Sequence, residues 1–215
     1  MEIDQEDEPI RRLGIMGGTF DPVHIGHLLM AEEACQAFAL DRVIFVPNGR
    51  PAHKKSYVVT QPEDRFRMVE MATASNPHFC CSRIEIDRPG PSYAIDTIRQ
   101  FRIDYPELDA LYFITGADAI LQIFTWHEYE ALMRECLFIA VTRPGFILEH
   151  IWEIMPLELV EHVTFLTIPG LDISSTELRR RVREGRSLKY LTPESVERHI
   201  AATGLYRNIT SGGNS

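Results

Sequence analysis

The stretch RLGIMGGTFDPVHIGHLL, residues 12–29, joins an apolar run to a helical pattern through a loop with glycines and histidines. The run RLGIM predicts a buried strand, and HLLMAEEACQAFAL (27–40) has the spacing of an amphipathic helix. Because this helix should begin near His24, its free N–H groups and the positive end of its dipole face the loop. The stretch therefore predicts a strand, a ligand-facing loop and a helix in direct succession.

The residue types in this loop suit phosphate binding. Gly17 and Gly18 let the backbone approach a ligand closely. His24 and His27 lie on nearly the same helical face, and Gly26 between them adds no side chain that could block the approach. We predict a phosphate-binding loop with two added imidazole donors.

Other interpretations of the loop stay open when it is taken alone. It could be a glycine turn beside two structural histidines, or part of a zinc site. Two histidines without a third ligand make the zinc site a weak prediction. The loop does not match the dinucleotide pattern G-x-G-x-x-G.

The rest of the chain repeats the alternation of apolar runs and helical patterns. We predict further strands at 42–47, 79–86, 111–116, 136–145 and 163–169, and helices at 62–75, 92–106, 117–124, 174–185 and 192–204. This alternation predicts an α/β protein with a parallel sheet and helices on both faces. Ligands of such sheets bind at the carboxyl ends of the strands, where the connectivity reverses. We expect one domain over 12–206, with flexible ends at 1–11 and 207–215.

Composition excludes some classes of function. The chain has 215 residues and a net charge of -9, which argues against sequence-independent nucleic-acid binding. No apolar stretch approaches the roughly 20 residues of a membrane span, so we expect no membrane association. Its 4 cysteines form no C-x-x-C pair, and the acidic start does not resemble a signal peptide. We expect reduced thiols and a cytoplasmic location.

Two segments resemble the signatures of a known superfamily. GGTFDPVHIGH (17–27) resembles the H-x-G-H signature of the nucleotidyltransferases, and ISSTELR (173–179) resembles their second signature, I-S-S-T-x-x-R. More narrowly, the chain is similar to the bacterial nicotinate mononucleotide adenylyltransferases in VPNGRPAHKK (46–55), RPGPSYAIDT (88–97), FITGADAILQIFTWHEYEAL (113–132), AVTRPG (140–145) and LTPESVERHIAATGLY (191–206). The resemblance spans roughly residues 12–206 and implies a Rossmann-like, doubly wound fold. The chain departs from the family pattern at Ala52, Ala94 and His127.

The resemblance implies a reaction between ATP and nicotinate mononucleotide, which gives nicotinate adenine dinucleotide and pyrophosphate in NAD biosynthesis. The nucleophile is the 5′-phosphate of the mononucleotide, which is mostly a dianion at neutral pH because its second pKa is near 6. The protein then needs no nucleophilic side chain and no general base. It must align two anions and stabilise charge on the α-phosphate and the leaving pyrophosphate. Mg²⁺ is expected to accompany ATP.

The resemblance also implies roles for particular residues. The catalytic residues are His24, His27 and Arg179, with the arginine reaching the β- and γ-phosphates. ATP binds to Gly17, Gly18, Thr19, Phe20, Gly26, Gly116, Asp118, Ile173, Ser174, Ser175 and Thr176. The mononucleotide binds to His53, Lys54, Tyr93, Ala94, Trp126 and His127. Backbone amides near Tyr93–Ala94 and Trp126–His127 should bind the nicotinate carboxylate, with Trp126 stacked on the ring.

Other functions stay open at this stage. A related H-x-G-H enzyme could use another phosphate acceptor, such as nicotinamide mononucleotide, phosphopantetheine or glycerol phosphate. The chain could also be a nucleotide-binding regulator without turnover, although the intact His24, His27 and Arg179 argue against it. The expected partners are small molecules, and an oligomer is possible.

Overall fold

The computed structural model describes residues 9–51, 58–144 and 160–207. In this part of the chain six parallel strands form one sheet with the order β3-β2-β1-β4-β5-β6. The strands are β1 (Arg12–Gly18), β2 (Arg42–Pro47), β3 (Phe79–Cys81), β4 (Ala110–Gly116), β5 (Leu137–Thr142) and β6 (Val163–Thr167).

Helices follow most of the strands. They are α1 (Ile25–Ala37), α2 (Pro62–Thr73), α3 (Ile84–Asp87), α4 (Ala94–Asp104), α5 (Ala117–Ile120), α6 (Tyr129–Glu135), α7 (Ser175–Arg183) and α8 (Glu194–Thr203), with a 3-10 turn at Ile123–Thr125. No helix in the described ranges has the length and apolar character needed to cross a bilayer.

The sheet separates two apolar layers because successive strand residues point to opposite faces. Met16 and Phe45 belong to one layer, which also contains buried residues of α1, α2 and α8. Ile15 and Ile44 belong to the other layer, together with buried residues of α4 and α6. Helices therefore cover both faces, and the predicted Rossmann-like, doubly wound fold is confirmed.

Two predicted elements need correction, and one helix was missed. The run 79–86 was expected to be one strand, but β3 ends at Cys81 and the chain turns into α3, which buries Glu85. The helix predicted at 117–124 is split into α5 and the 3-10 turn. Helix α6 was not predicted, since it is short and follows Glu128, which is not one of the residues that usually begin a helix.

The order of the strands places a crevice beside β1. This strand pairs with β2 on one side and with β4 on the other, so the connections leave it in opposite directions. At such a switch point the loops after the two strands separate and leave room for a ligand. The loop after Gly18 and the turn after Gly116 border this crevice.

Candidate active site

The two histidines of the loop after β1 form a fixed pair. Their rings stack with centroids 3.7 Å apart and an angle of 26° between the planes. The backbone N–H of His24 donates to Nδ1 of His27 over 3.2 Å, so the neutral His27 ring carries its proton on Nε2. A Cβ on Gly26 would lie 3.0 Å from Nδ1 of His24, which explains why a glycine stands there.

Both imidazoles are neutral at pH 7. Burial, aided by the positive charge of Arg143, lowers the pKa of His24 to about 4. Burial and the neighbouring His24 hold the pKa of His27 well below its ordinary value. Nδ1 of His24 is buried and has no hydrogen-bond partner among the described residues. The pair therefore offers neutral donors and one unused nitrogen rather than two positive charges.

A cavity of about 330 Å³ lies beside His24, and we call it the His24 cavity. Its wall combines the start of α1 with the carboxyl ends of β4 and β5, and Arg143 follows β5 directly. Its lining includes His24, Gly26, Leu29, Met30, Gly116, Asp118, Arg143 and Ile173. The wall of this cavity therefore contains both apolar and charged side chains.

A second cavity of about 550 Å³ lies on the other side of the loop, and we call it the Trp126 cavity. Tyr93 stacks on His127 with centroids 4.2 Å apart, and Trp126 meets Phe113 edge-on at 5.7 Å. Gly17, Gly18 and Thr19 also line this cavity, together with Ala94. The loop after β1 therefore contributes to both cavities, with an aromatic group in the second one.

Helix α7, which carries the second signature, is bound directly to the loop. Ser174 caps the helix by accepting a hydrogen bond from the Glu177 N–H at 3.2 Å. The Ser175 hydroxyl donates to the Pro22 carbonyl at 2.8 Å. The Arg179 guanidinium donates to the Asp21 carbonyl at 2.6 Å and to Oγ1 of Thr176 at 3.2 Å.

Asp21 anchors the middle of the loop through its side chain. Its buried carboxylate accepts from the Tyr206 hydroxyl at 2.7 Å and from the Thr60 N–H at 3.2 Å. Burial raises the pKa of Tyr206, so this phenol keeps its proton and remains a donor. The hydroxyl of Thr192 donates to the Val23 carbonyl at 2.9 Å. Segments that are distant in sequence therefore hold the loop from several sides.

Comparisons with known proteins agree with this architecture. Residues 15–181 match the cytidylyltransferase-like family. A Moorella thermoacetica protein described as a probable nicotinate-nucleotide adenylyltransferase is 55% identical over 204 residues, which cover 94% of this chain and 94% of that protein. A Thermoanaerobacter protein with the same description is 50% identical over 207 residues, which cover 94% of this chain and 97% of that protein.

The chain belongs to the family of nicotinate-nucleotide adenylyltransferases. The resemblance inferred from the two signatures is confirmed. The nicotinic acid mononucleotide adenylyltransferase of Plasmodium falciparum, in its complex with NaAD, superposes with a TM-score of 0.72 at 19% identity, covering 91% of this chain and 97% of that chain. That likeness shows a common fold across distant sequences of the adenylyltransferases.

The structure brings most of the expected adenylyltransferase site residues to the two cavities, whereas His27 stacks on His24 without lining either one. Around the His24 cavity lie His24, Gly26, Gly116, Asp118 and Ile173. Around the Trp126 cavity lie Tyr93, Ala94, Trp126 and His127, and also Gly17, Gly18 and Thr19, which were expected to contact ATP. His53 and Lys54 fall outside the described residues.

Phe20 and Arg179 have different surroundings from those expected. The Phe20 ring is buried and packs edge-on against the His27 ring at 5.1 Å, so its side chain supports the histidine instead of lining a cavity. Arg179 is only 7% exposed and turns its guanidinium towards the loop. In this structure Arg179 therefore holds the loop, and its contact with the β- and γ-phosphates stays a prediction.

Some of the groups expected to contact the substrates already form hydrogen bonds within the protein. The Ser175 hydroxyl donates its proton to the Pro22 carbonyl. The hydroxyl oxygens of Ser174 and Thr176 act as acceptors, so their own protons remain available. The backbone N–H of Trp126 donates to the Ile123 carbonyl at 2.9 Å.

Sequence reasoning missed Arg65, a buried cation behind the loop. It is 1% exposed and donates to the carbonyls of Thr19 at 2.8 Å and Asn48 at 2.7 Å, with further bonds to the Asn48 amide oxygen and to the carbonyls of Gly49 and Thr60. An arginine in an amphipathic helix is normally assigned to the solvent face. Only the fold shows that its guanidinium binds the turns after β1 and β2.

Arg143 and Glu85 were missed as well. Arg143 could have been found, because it lies near the carboxyl end of the predicted strand 136–145, at the edge of the sheet where ligands bind. Glu85 lines the Trp126 cavity but lay in a segment that was expected to be a strand.

The structure offers little protein ligation for a metal. Among the described residues, no three His, Cys, Asp or Glu side chains come together as a ligand group. Asp118 contributes a carboxylate to the wall of the His24 cavity. Mg²⁺ favours phosphate oxygens and water as ligands, so it can be carried by ATP itself.

Proposed function

We propose that this chain transfers the AMP moiety of ATP to nicotinate mononucleotide and releases pyrophosphate, forming nicotinate adenine dinucleotide for NAD biosynthesis. The observation that carries the proposal is a single loop, with a fixed histidine pair, that contributes to two cavities of different character. Family membership supports the same reaction. The acidic composition and the free cysteines among the described residues fit a cytoplasmic enzyme.

ATP occupies the His24 cavity in this proposal. The start of α1 and the Arg143 side chain attract the phosphates, while Leu29 and Met30 offer an apolar surface to the adenine. Asp118 is exposed at the cavity wall and can accept a hydrogen bond from a ribose hydroxyl.

Nicotinate mononucleotide occupies the Trp126 cavity. Its pyridine ring lies among Tyr93, Trp126 and His127, and its 5′-phosphate lies towards Gly18 and Thr19. His53 and Lys54 complete the phosphate site, as the family resemblance implies. This arrangement brings the 5′-phosphate to the loop that also contacts ATP.

The chemistry needs positioning more than proton transfer. The 5′-phosphate dianion attacks the α-phosphorus of ATP, and pyrophosphate leaves from the opposite side. The Nε2–H of His27 donates to the oxygens that gain charge, helped by the N–H groups at the start of α1. Mg²⁺ bound to the phosphates supplies further charge neutralisation.

The site favours a carboxylate on the pyridine ring. Helix α4 begins at Ala94 in the cavity wall, so its first N–H groups are donors without partners inside the helix. A carboxylate accepts from such donors, whereas the NH₂ of an amide would face them with another donor. The nicotinate form should therefore bind better than the nicotinamide form.

A substrate panel tests the proposal. The purified enzyme is given ATP and Mg²⁺ with nicotinate mononucleotide, nicotinamide mononucleotide or phosphopantetheine, and both dinucleotide and pyrophosphate are quantified. We expect the highest kcat/KM with nicotinate mononucleotide. A higher value with another acceptor would assign the chain to a different transferase, and no pyrophosphate release with any acceptor would favour a nucleotide-binding regulator.

A further inference from the structure

Glu85 is a buried acid in the wall of the Trp126 cavity. It lies in α3 and is 7% exposed. Burial raises the pKa of this carboxyl, while hydrogen bonds from Thr97 and Ser92 and the charge of Arg88 oppose that rise. A carboxylate removed from water is stable only when donors replace its hydration. Its partners therefore show what the group holds in place.

Two hydroxyl groups hold the carboxylate, and each of them is itself held by a donor. The Thr97 hydroxyl donates to Oε1 of Glu85 at 2.7 Å and accepts from the Arg88 guanidinium at 3.1 Å. The Ser92 hydroxyl lies near the Glu85 carboxyl, whose pKa it lowers, and it accepts from the Gly49 N–H at 3.0 Å. A hydroxyl has one proton, and the bond of 2.7 Å to Oε1 is much shorter than the 3.4 Å from Oγ1 of Thr97 to the Tyr93 carbonyl, so the Thr97 proton points to the carboxylate.

The backbone around Glu85 is packed closely as well. A Cβ on Gly49 would lie 2.2 Å from the Glu85 carbonyl oxygen, so the turn after β2 lies directly on α3. The N–H of Ser92 donates to the Arg50 carbonyl at 2.9 Å. The turn after β2 and the segment at the start of α4 thus both pack around Glu85 and its helix α3.

The residues between the two hydroxyls are the ones that face the proposed pyridine site. Tyr93 and Ala94 lie between Ser92 and Thr97 in the chain, and both line the cavity. Tyr93 also stacks on His127. A shift of Ser92 or Thr97 would therefore move the aromatic ring and the first N–H groups of α4 together.

We propose that Glu85 is a positioning residue for the mononucleotide, whose carboxylate holds the Ser92 and Thr97 hydroxyls and thereby fixes Tyr93 and Ala94 against the pyridine ring. The inference rests on the proposed function for the identity of the substrate. Glu85 should therefore affect the binding of the mononucleotide and not the rate of the chemical step.

Glu85→Gln is the first test because it keeps the size of the side chain. One carboxylate oxygen becomes an NH₂ donor, so one of the two hydroxyls faces a donor and loses its acceptor. We expect the KM for nicotinate mononucleotide to rise about five- to tenfold, as for the loss of a charge-assisted hydrogen bond. The KM for ATP and the kcat at saturation should change less than about twofold.

Glu135→Gln is the matched control. Glu135 accepts from Arg99 at 3.0 Å and lies at the end of α6, outside the lining of either cavity. Its substitution neutralises another hydrogen-bonded carboxylate without touching the cavity wall. We expect no change in either KM, whatever the change in thermal stability.

A double-mutant cycle tests the link between Glu85 and Thr97. Thr97→Val removes the hydroxyl and keeps the branched shape, so adding it to Glu85→Gln should raise the KM much less than the product of the two single effects. Additive effects, an equal rise of both KM values, or an unchanged KM for the mononucleotide would overturn the proposal. If Glu85→Gln fails to fold, Ser92→Ala replaces it with the same expected split between the substrates.

The assay of the unaltered enzyme separates this inference from the proposed function. Failure of the unaltered enzyme to form the dinucleotide would count against the function. Normal turnover of the unaltered enzyme with an unaltered mononucleotide KM in Glu85→Gln would count against Glu85 alone.

Discussion

At the scale of single residues, the histidine pair is defined by its neutrality. Burial removes the charge of both rings, and the bond from the His24 N–H to Nδ1 of His27 directs the remaining proton to Nε2. A fixed neutral donor needs no rearrangement when negative charge develops beside it, which is the condition for strong electrostatic stabilisation of a transition state. Phe20 supports this orientation from the core side.

His27→Ala should therefore abolish most turnover while the fold stays intact. Loss of one donor to the transition state costs about 10²–10³ in kcat. Steady-state kinetics gives the rate, and circular dichroism with a thermal melt checks the fold. A folded variant with near-normal kcat would remove His27 from the mechanism.

The lowered pKa of His24 predicts a dependence of stability on pH. Between its folded pKa of about 4 and its ordinary value of 6.5, the unfolded chain binds a proton that the folded chain does not. The free energy of unfolding therefore falls as the pH falls through this range, by about 1.5 kcal/mol between pH 6.5 and pH 5.

His24→Gln removes this titration and should lose less stability over the same range. Urea unfolding of both proteins at pH 7 and pH 5 measures the difference. Equal losses in the two proteins would show that His24 titrates normally in the folded state.

At the scale of elements, the loop after β1 is held by contacts between distant parts of the chain. Helix α7 binds it through Ser175 and Arg179, the end of the described chain binds it through Tyr206, and helix α2 binds it through Arg65. The second signature therefore fixes the position of the first. Its hydroxyls and its arginine serve the loop as well as the phosphates expected nearby.

Arg179→Lys tests this role of α7. A lysine keeps the charge but cannot reproduce the planar fork that joins Asp21 to Thr176. We expect a folded enzyme with partial activity and a lower kcat, and Arg179→Ala should be worse than Arg179→Lys. If Arg179→Ala matched the unaltered enzyme in kcat and in the KM for ATP, the link between the two signatures would have no function.

Local patterns predicted most of the elements, because the signals for continuous apolar strands and capped helices depend on residues that are adjacent in the sequence. The H-x-G-H loop and the capped start of α7 were found in this way. The surroundings of Arg65, Glu85 and Arg179 could not be predicted, since each buried polar side chain binds partners from elsewhere in the chain. Long-range hydrogen bonds leave no local periodicity from which they could be inferred.

At the scale of the whole molecule, the reversal of strand order around β1 places two cavities on either side of one loop. The His24 cavity includes the ends of β4 and β5, and the Trp126 cavity lies beside the starts of the loop and of α4. Two substrates that repel each other can then approach from different enclosures and meet only at the loop. The sheet order is therefore part of the mechanism.

Trp126→Ala tests the division of the two substrates between the cavities. The change removes a large aromatic surface beside Phe113, so the KM for nicotinate mononucleotide should rise about tenfold or more. The KM for ATP should hardly change, because Trp126 does not line the His24 cavity. Parallel kinetics with each substrate varied in turn would show a selective or a common effect, and a common effect would contradict the division.

The crystal structure of the enzyme with nicotinate adenine dinucleotide tests the account most directly. We predict that the adenosine lies in the His24 cavity beside Arg143, the pyridine ring lies against Trp126, and the diphosphate passes the Nε2–H of His27. A dinucleotide with both halves in one cavity, or with its diphosphate away from His27, would contradict the account.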